Sequence, residues 1–215
     1  MEKIKKIFSA HKILKIIKWA FLILVGLFII LIIGRVFYLN NLEKTNEQVI
    51  KIHNTKLSLD DVLGKDLPPD PGALADATVQ GIDANKNGIR DDVELAVFKE
   101  YPKSAKTRAV LLQYALALQM EVVQPIVNTI TATEVVREED RAGYCISDTL
   151  VPRKSPESSR SNIDMEKINS FISFIENKQF NTKERKDARN IFFKKLRSYS
   201  DLNKDCDIDY VKLLD

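Results

Sequence analysis

The chain has 215 residues, 45% of them hydrophobic, and a formal net charge of +3, enough for one modest domain with accessory segments. Residues 1–18 hold six lysines and one glutamate, so everything after them carries −2. The pI of about 8.7 therefore belongs to this tail, and a basic nucleic-acid-binding domain is excluded.

In the tail, Ile4, Ile7, Phe8 and Leu14 are spaced to form an apolar stripe beneath the lysines, as in a helix lying on an anionic membrane. The simpler reading is a basic topology signal leading into the next segment. Trp19 to Gly34 is sixteen residues without a charge, and Val36 to Leu39 extends the run past Arg35. At 1.5 Å per residue, Trp19 to Leu39 spans roughly 30 Å, the thickness of one bilayer core. Arg35 lies near one end, where its stem reaches the headgroups. The span is followed by Arg35, Val36, Phe37, Tyr38 and Leu39 rather than by a small-x-small cleavage site, so a retained signal anchor is expected. Lys3, Lys5, Lys6, Lys12, Lys15 and Lys18 precede it, against Arg35 and Lys44 after it. The positive-inside rule then puts the N-terminus in the cytoplasm of an inner (plasma) membrane protein and the rest in a periplasmic or extracellular space.

Residues 40–66 are polar with scattered aliphatics, which predicts a stalk with a short helix near Leu57 to Leu63. Leu67-Pro68-Pro69-Asp70-Pro71-Gly72 interrupts regular structure and marks the start of a globular part, 67–215. There the patterns are helical. One helix is expected from Asp91 or Asp92 to near Tyr101-Pro102. A central buried helix follows over about 104–123, with Ala109, Leu112, Leu116 and Met120 at helical spacing. Gln113, Gln119, Glu121, Gln124 and Pro125 argue against a second membrane span. Beyond Pro125, helix resumes from Ile126 to about Glu139 and leads toward Cys145. Val151 to Asn162 reads as a surface loop. Ile168, Phe171, Ile172 and Ile175 form the stripe of one more amphipathic helix. Ala188, Ile191, Phe192, Leu196 and Tyr199 form that of another, which Asn181 and Glu184 introduce as a loose capping box. The expected fold is mainly α, a small all-α extracytoplasmic domain behind one transmembrane helix.

Cys145 and Cys206 are the only cysteines. Both follow the span, so in an oxidising compartment a disulfide is favoured over two buried thiols. With no histidine nearby they make a poor zinc site.

Asp83 to Glu94 reads Asp-Ala-Asn-Lys-Asn-Gly-Ile-Arg-Asp-Asp-Val-Glu. Oxygen-bearing side chains occupy positions 1, 3, 5, 9 and 12 of this loop, and glycine occupies position 6, the pattern that wraps a chain around a hard cation. Calcium prefers six to eight oxygens. Asp83, Asn85 and Asn87 would supply three, Ile89 a backbone carbonyl, Asp91 a direct or water-mediated contact and Glu94 both carboxylate oxygens. The bland alternative is an Asn-Gly turn feeding an acid-capped helix.

Residues 83–94 resemble the isolated EF-hand-like, Asp-x-Asp-x-Asp-Gly type calcium loops of bacterial and extracellular proteins, dockerin-like loops included. The resemblance covers about twelve residues and implies the same six ligands. Two departures stand out: the upstream segment is Pro-rich where an EF-hand has its entering helix, and position 8, usually an aliphatic that pairs two loops, is Arg90. A solitary site follows, with an affinity in the weak extracellular range of about 10⁻⁴ to 10⁻³ M.

Lesser candidates are an acidic tail of Asp201, Asn203, Asp205, Asp207 and Asp209, expected to be solvated, and a basic run of Lys183, Arg185, Lys186, Arg189, Lys194, Lys195 and Arg197, expected on the wet side of its helix. Catalysis has little behind it. The histidines are His11 in the tail and His53 in the stalk, and pairs such as Glu138 and Glu139 are common on helix surfaces. The sequence thus points to a membrane-anchored calcium-binding protein with a protein or cell-envelope partner. The rival is an anchored envelope hydrolase with an unrecognised site; pairing through the membrane helix has no GxxxG motif behind it.

Overall fold

A computed structural model describes residues 2–200, 206–210 and 213, with side chains described from Ile13 onward. The side chains of Ile4, Ile7, Phe8 and His11, and residues Asp201, Asn203 and Asp205, lie outside the described residues. All regular structure among the described residues is helical. The chain divides into two compact units, 1–44 and 45–215.

Helix α1, Glu2–Asn54, runs through the first unit. From Ile13 to Leu39 none of its apolar side chains is buried, with Trp19, Phe21, Leu31 and Phe37 about two-thirds exposed. This is one helix long and apolar enough to cross a membrane.

The second unit is built around α4, Ala105–Val123, which is buried without interruption from Arg108 to Glu121. Ser104 starts it by accepting a hydrogen bond from the Thr107 amide, satisfying one of the orphan donors of the first turn. Around it pack α2 (Leu59–Leu63), α3 (Asp91–Glu100), α5 (Thr129–Leu150), α6 (Asn162–Gln179) and α7 (Lys183–Phe193). Gln113, Gln119 and Glu121, which argued against a membrane span, are buried in protein instead.

Several boundaries differ from the sequence pattern. The unit begins at Thr45 rather than at the proline cluster, because Ile52, Leu57 and Val62 are core residues and not stalk decoration. α5 starts at Thr129 rather than Ile126. Asn128 sets that start: its side chain accepts from the Ile130 and Thr131 amides, and Thr131 reciprocates to the Asn128 amide. The helix then continues through Cys145 to Leu150. Thr182, not Asn181, caps α7. Ile191 is exposed while Phe192 is buried, so the core face of α7 is narrower than its apolar pattern.

Cys145 and Cys206 form a disulfide pair with Cα atoms 5.7 Å apart. Closing a loop of 61 residues contributes about 4 kcal/mol by the chain-entropy estimate. Next to it, Asp207 is buried rather than solvated. Its carboxylate accepts from Arg141 at 2.7 Å and from the Leu57 amide at 3.0 Å, and its own amide donates to Gln113.

Candidate metal centre

The segment 83–94 is organised by its own side chains. Asp83 at position 1 accepts from the amides of Asn87 and Gly88 at 3.1 and 3.0 Å. Asn87 accepts from the Ile89 amide at 2.9 Å. Asp91 accepts from the Ala84 amide at 3.0 Å, drawing the two ends of the loop together. The path needs left-handed backbone at Lys86 (φ 60°) and at Gly88 (φ 86°). Glycine suits the second position twice over, since a Cβ there would lie 2.7 Å from Leu116 Cδ1. Ile89 is fully buried and anchors the loop in the core.

Burial divides the six predicted ligands. Asp83, Asn85 and Asn87 line an open depression of about 630 Å³ together with Lys51, Thr55, Lys86 and Gln124. Asp91 and Glu94, on the first turn of α3, are 0% and 1% exposed. Asp91 Oδ2 is buried and accepts no hydrogen bond from the protein. Glu94 takes a hydrogen bond from Asn85 Nδ2 at 3.1 Å. Burial pushes its carboxyl up to about 7, opposed by the Asn85 and Asn87 amides and reinforced by Asp61 and Asp91. Asp91 is raised too, by burial first, with its bond from Ala84 opposing and Asp83 and Asp92 adding repulsion. The nearby cation Arg90 pairs with Asp92.

Among the described residues no three His, Cys, Asp or Glu side chains gather as a metal-holding group. The three acids do not make a cage by themselves, so a cation here would draw on the Asn85, Asn87 and Ile89 oxygens as well. The donor set fits a hard cation: it is all oxygen, and one buried carboxylate oxygen lacks a donor. A bound calcium ion would supply charge neutralisation and cross-linking of the loop to α3.

Arg90 has a role that its sequence position hides. Its side chain is fully buried. Nη1 donates to the Gln179 carbonyl at 3.0 Å and Nη2 to the Lys178 carbonyl at 2.6 Å, capping the C-terminus of α6, while Asp92 holds the guanidinium from the other side. Cations at a helix C-terminus satisfy orphan carbonyls and favour the macrodipole. Gln179 donates to Gln119, which donates to the Gln80 carbonyl at 2.8 Å. Arg185, assigned to the wet face by its pattern, is also fully buried and donates to the carbonyls of Ala75, Thr78 and Val79 and to Asp76. The loop, the segment before it and the α6–α7 corner are therefore one polar junction.

A second buried cluster lies across α4. Arg189, the other cation removed from the wet face, donates to Glu121, Glu139 and Glu176 at 3.1, 3.1 and 2.9 Å and stacks on Phe180. Burial first holds Glu121 and Glu139 above the ordinary carboxylate range, with repulsion from Glu139 adding at Glu121, repulsion from Asp140 and Glu176 adding at Glu139, and Arg189 opposing at both. Glu139 borders a cleft of about 410 Å³ with Tyr114, Asp140 and Tyr144. Glu121 itself is sealed, its side chain 0% exposed. A residue so enclosed cannot touch a substrate, and the cluster ties α4, α5, α6 and α7 together rather than forming a catalytic pair. Glu138, beside it in sequence, faces elsewhere and pairs with Arg141 and Lys56, and His53 pairs with Glu134 at 3.0 Å.

No protein family, curated protein or solved structure matches the chain.

Proposed function

We propose that this is a membrane-anchored, extracytoplasmic protein of interaction or structural type whose helical domain is stabilised by one calcium ion. Asp83, Asn85, Asn87, the Ile89 carbonyl, Asp91 and Glu94 hold the ion, as in the isolated EF-hand-like loops that residues 83–94 resemble. The observation that carries the reading is the burial of two acids, Asp91 and Glu94, behind a loop whose amides point at its own side-chain oxygens, with Asp91 Oδ2 unpartnered. Burying charge without a counter-charge costs several kcal/mol, and a divalent cation offsets that cost.

The role assigned to calcium is a staple. Arg90 at position 8 is committed to the α6 C-terminus, so no aliphatic is available there to pair this loop with a second one. Three carboxylates and two neutral asparagines place the affinity at about 10⁻⁴ to 10⁻³ M, where millimolar external calcium keeps the site mostly filled. The remaining surface is left to contact a protein or envelope partner.

Protease added to intact cells that express the chain tests topology and ion together. External protease should cleave beyond residue 44 and spare the N-terminal tail, and millimolar calcium should slow cleavage within 67–215. Cleavage only after lysis would overturn the orientation; equal rates with and without calcium would overturn the staple.

A further inference from the structure

Between Glu121 and Glu134 the chain runs twelve residues without a charge, Val122 to Thr133. Unlike the similar uncharged run inside α4, this one is a surface loop and helix start. Val123, Val127 and Ile130 are 40%, 38% and 54% exposed, and Pro125 between them is exposed as well. Scattered exposed aliphatics need no explanation, but an uncharged exposed run in a chain that is 29% charged does.

Its position in the second unit supplies one. Asn128 Nδ2 donates to Thr45 Oγ1 at 2.7 Å, and Thr45 is buried. Gln124 lies beside Lys51, Asn54 and Thr55. The loop therefore runs back along the last turns of α1, with Gln124 near the far end and Asn128 near Thr45. Thr45 is six residues from Leu39, the end of the apolar run. Six residues reach about 9 Å as helix and about 20 Å at full extension. The headgroup layer outside the hydrocarbon core is about 5–7 Å deep. The connection thereby limits how far residues 127–130 lie from the lipid surface.

We infer that the α4–α5 loop is a membrane-contacting element, with Val127 and Ile130 seated at the boundary between headgroups and acyl chains. The ligand class is the bilayer itself, recognised by apolar burial and not by charge, because the loop offers no charged side chain. This rests on the anchor reading of α1. It adds a second point of attachment, which limits how far the domain tilts away from the surface.

The test uses the full chain reconstituted in phosphatidylcholine vesicles. Trp19, the one tryptophan, is replaced (Trp19→Phe), and a reporter is placed by Val127→Trp, by Ile130→Trp, or, as an aqueous control, by Ile163→Trp at a site 76% exposed on α6. Lipids brominated on the acyl chain should quench the reporters at 127 and 130 about twofold or more beyond the control, consistent with seating a few Å into the boundary, and aqueous iodide should favour the control. Iodide quenching at 127 and 130 equal to the control would overturn the inference. Shielding from both quenchers would also overturn it, pointing to a protein cover. Release of the chain by alkaline carbonate would instead overturn the anchor reading, and the loop contact with it.

Discussion

Asn85 Nδ2 donates to Glu94 Oε2 at 3.1 Å and to the Asp66 carbonyl at 2.9 Å. Positions 3 and 12 of the loop thus meet through an amide nitrogen, and calcium ligation requires the Asn85 oxygen to face the ion in its place. The Glu94 carboxyl, raised to about 7, is the group most changed by an arriving cation.

Replacing it with its neutral isostere should therefore separate two effects. Glu94→Gln removes the proposed bidentate ligand and should abolish the calcium response. With a chelator present at pH 8 it should also raise stability by about 1–3 kcal/mol, because a buried carboxylate disfavoured by burial is no longer charged. Thermal denaturation in chelator and in calcium reads both. A Glu94→Gln protein that keeps its calcium response would assign the ion to other residues.

Two glycines carry the turns that aim the loop. Gly81 (φ 71°) would place a Cβ 2.2 Å from Arg90 Cδ, a side chain with no free space, and 3.2 Å from the Ala75 carbonyl. Gly88 (φ 86°) would meet a leucine methyl. Gly81→Ala should cost about 2–4 kcal/mol and Gly88→Ala about 1–3 kcal/mol, combining left-handed strain with overpacking. Equilibrium denaturation measures both, and an unchanged midpoint for Gly81→Ala would contradict the packing around Arg90.

Arg90→Met keeps the stem and removes the guanidinium. The Lys178 and Gln179 carbonyls lose their donor and Asp92 its partner, so a loss of about 3–5 kcal/mol is expected. Hydrogen exchange should accelerate first at the α6–α7 corner and at the loop, since Arg90 joins them. Faster exchange confined to the loop would mean that the junction is not cooperative.

This arginine also marks where the sequence stops being informative. Helical spacing located α3, α4, α6 and α7, and capping and proline signals placed the ends of α3 and α4 within a residue, because those patterns are local. Arg185, Arg189 and Asp207 read as solvated because charge usually is, and Arg90 reads only as a departure from the loop pattern. Each is paired across 66 to 110 residues of chain, a distance over which periodicity says nothing. Ile52, Leu57 and Val62 read as part of a polar stalk with a short helix for the opposite reason: three aliphatics in a polar stretch make no stripe, although all three belong to the core. The six residues proposed as ligands stand out in the sequence because such a loop pattern is written in consecutive positions.

The Glu121–Glu139 pair gives the domain a pH dependence of known sign. Both carboxyls are raised in the folded state, so the folded protein holds a proton that the unfolded chain releases near the ordinary glutamate value of about 4.3. The pair's contribution is full below that value and is lost as pH rises through the folded value. Arg189 on α7 faces the same pair and moderates the loss, while Glu176 on α6 adds repulsion at Glu139. Melting temperature should decline as pH rises from about 4.3 to the folded value, about 9 for Glu121, and Glu121→Gln should flatten the decline. A decline as steep in the variant would remove the pair as its source.

Calorimetric titration of the full chain in detergent with calcium tests the central claim most directly. A single site of about 10⁻⁴ to 10⁻³ M should appear, with stabilisation at 10 mM calcium of about 1–3 kcal/mol by mass action, and magnesium should substitute poorly because it demands a tighter octahedral shell. No heat and no thermal shift at 10 mM calcium would contradict the account and leave residues 83–94 as an acid-capped turn.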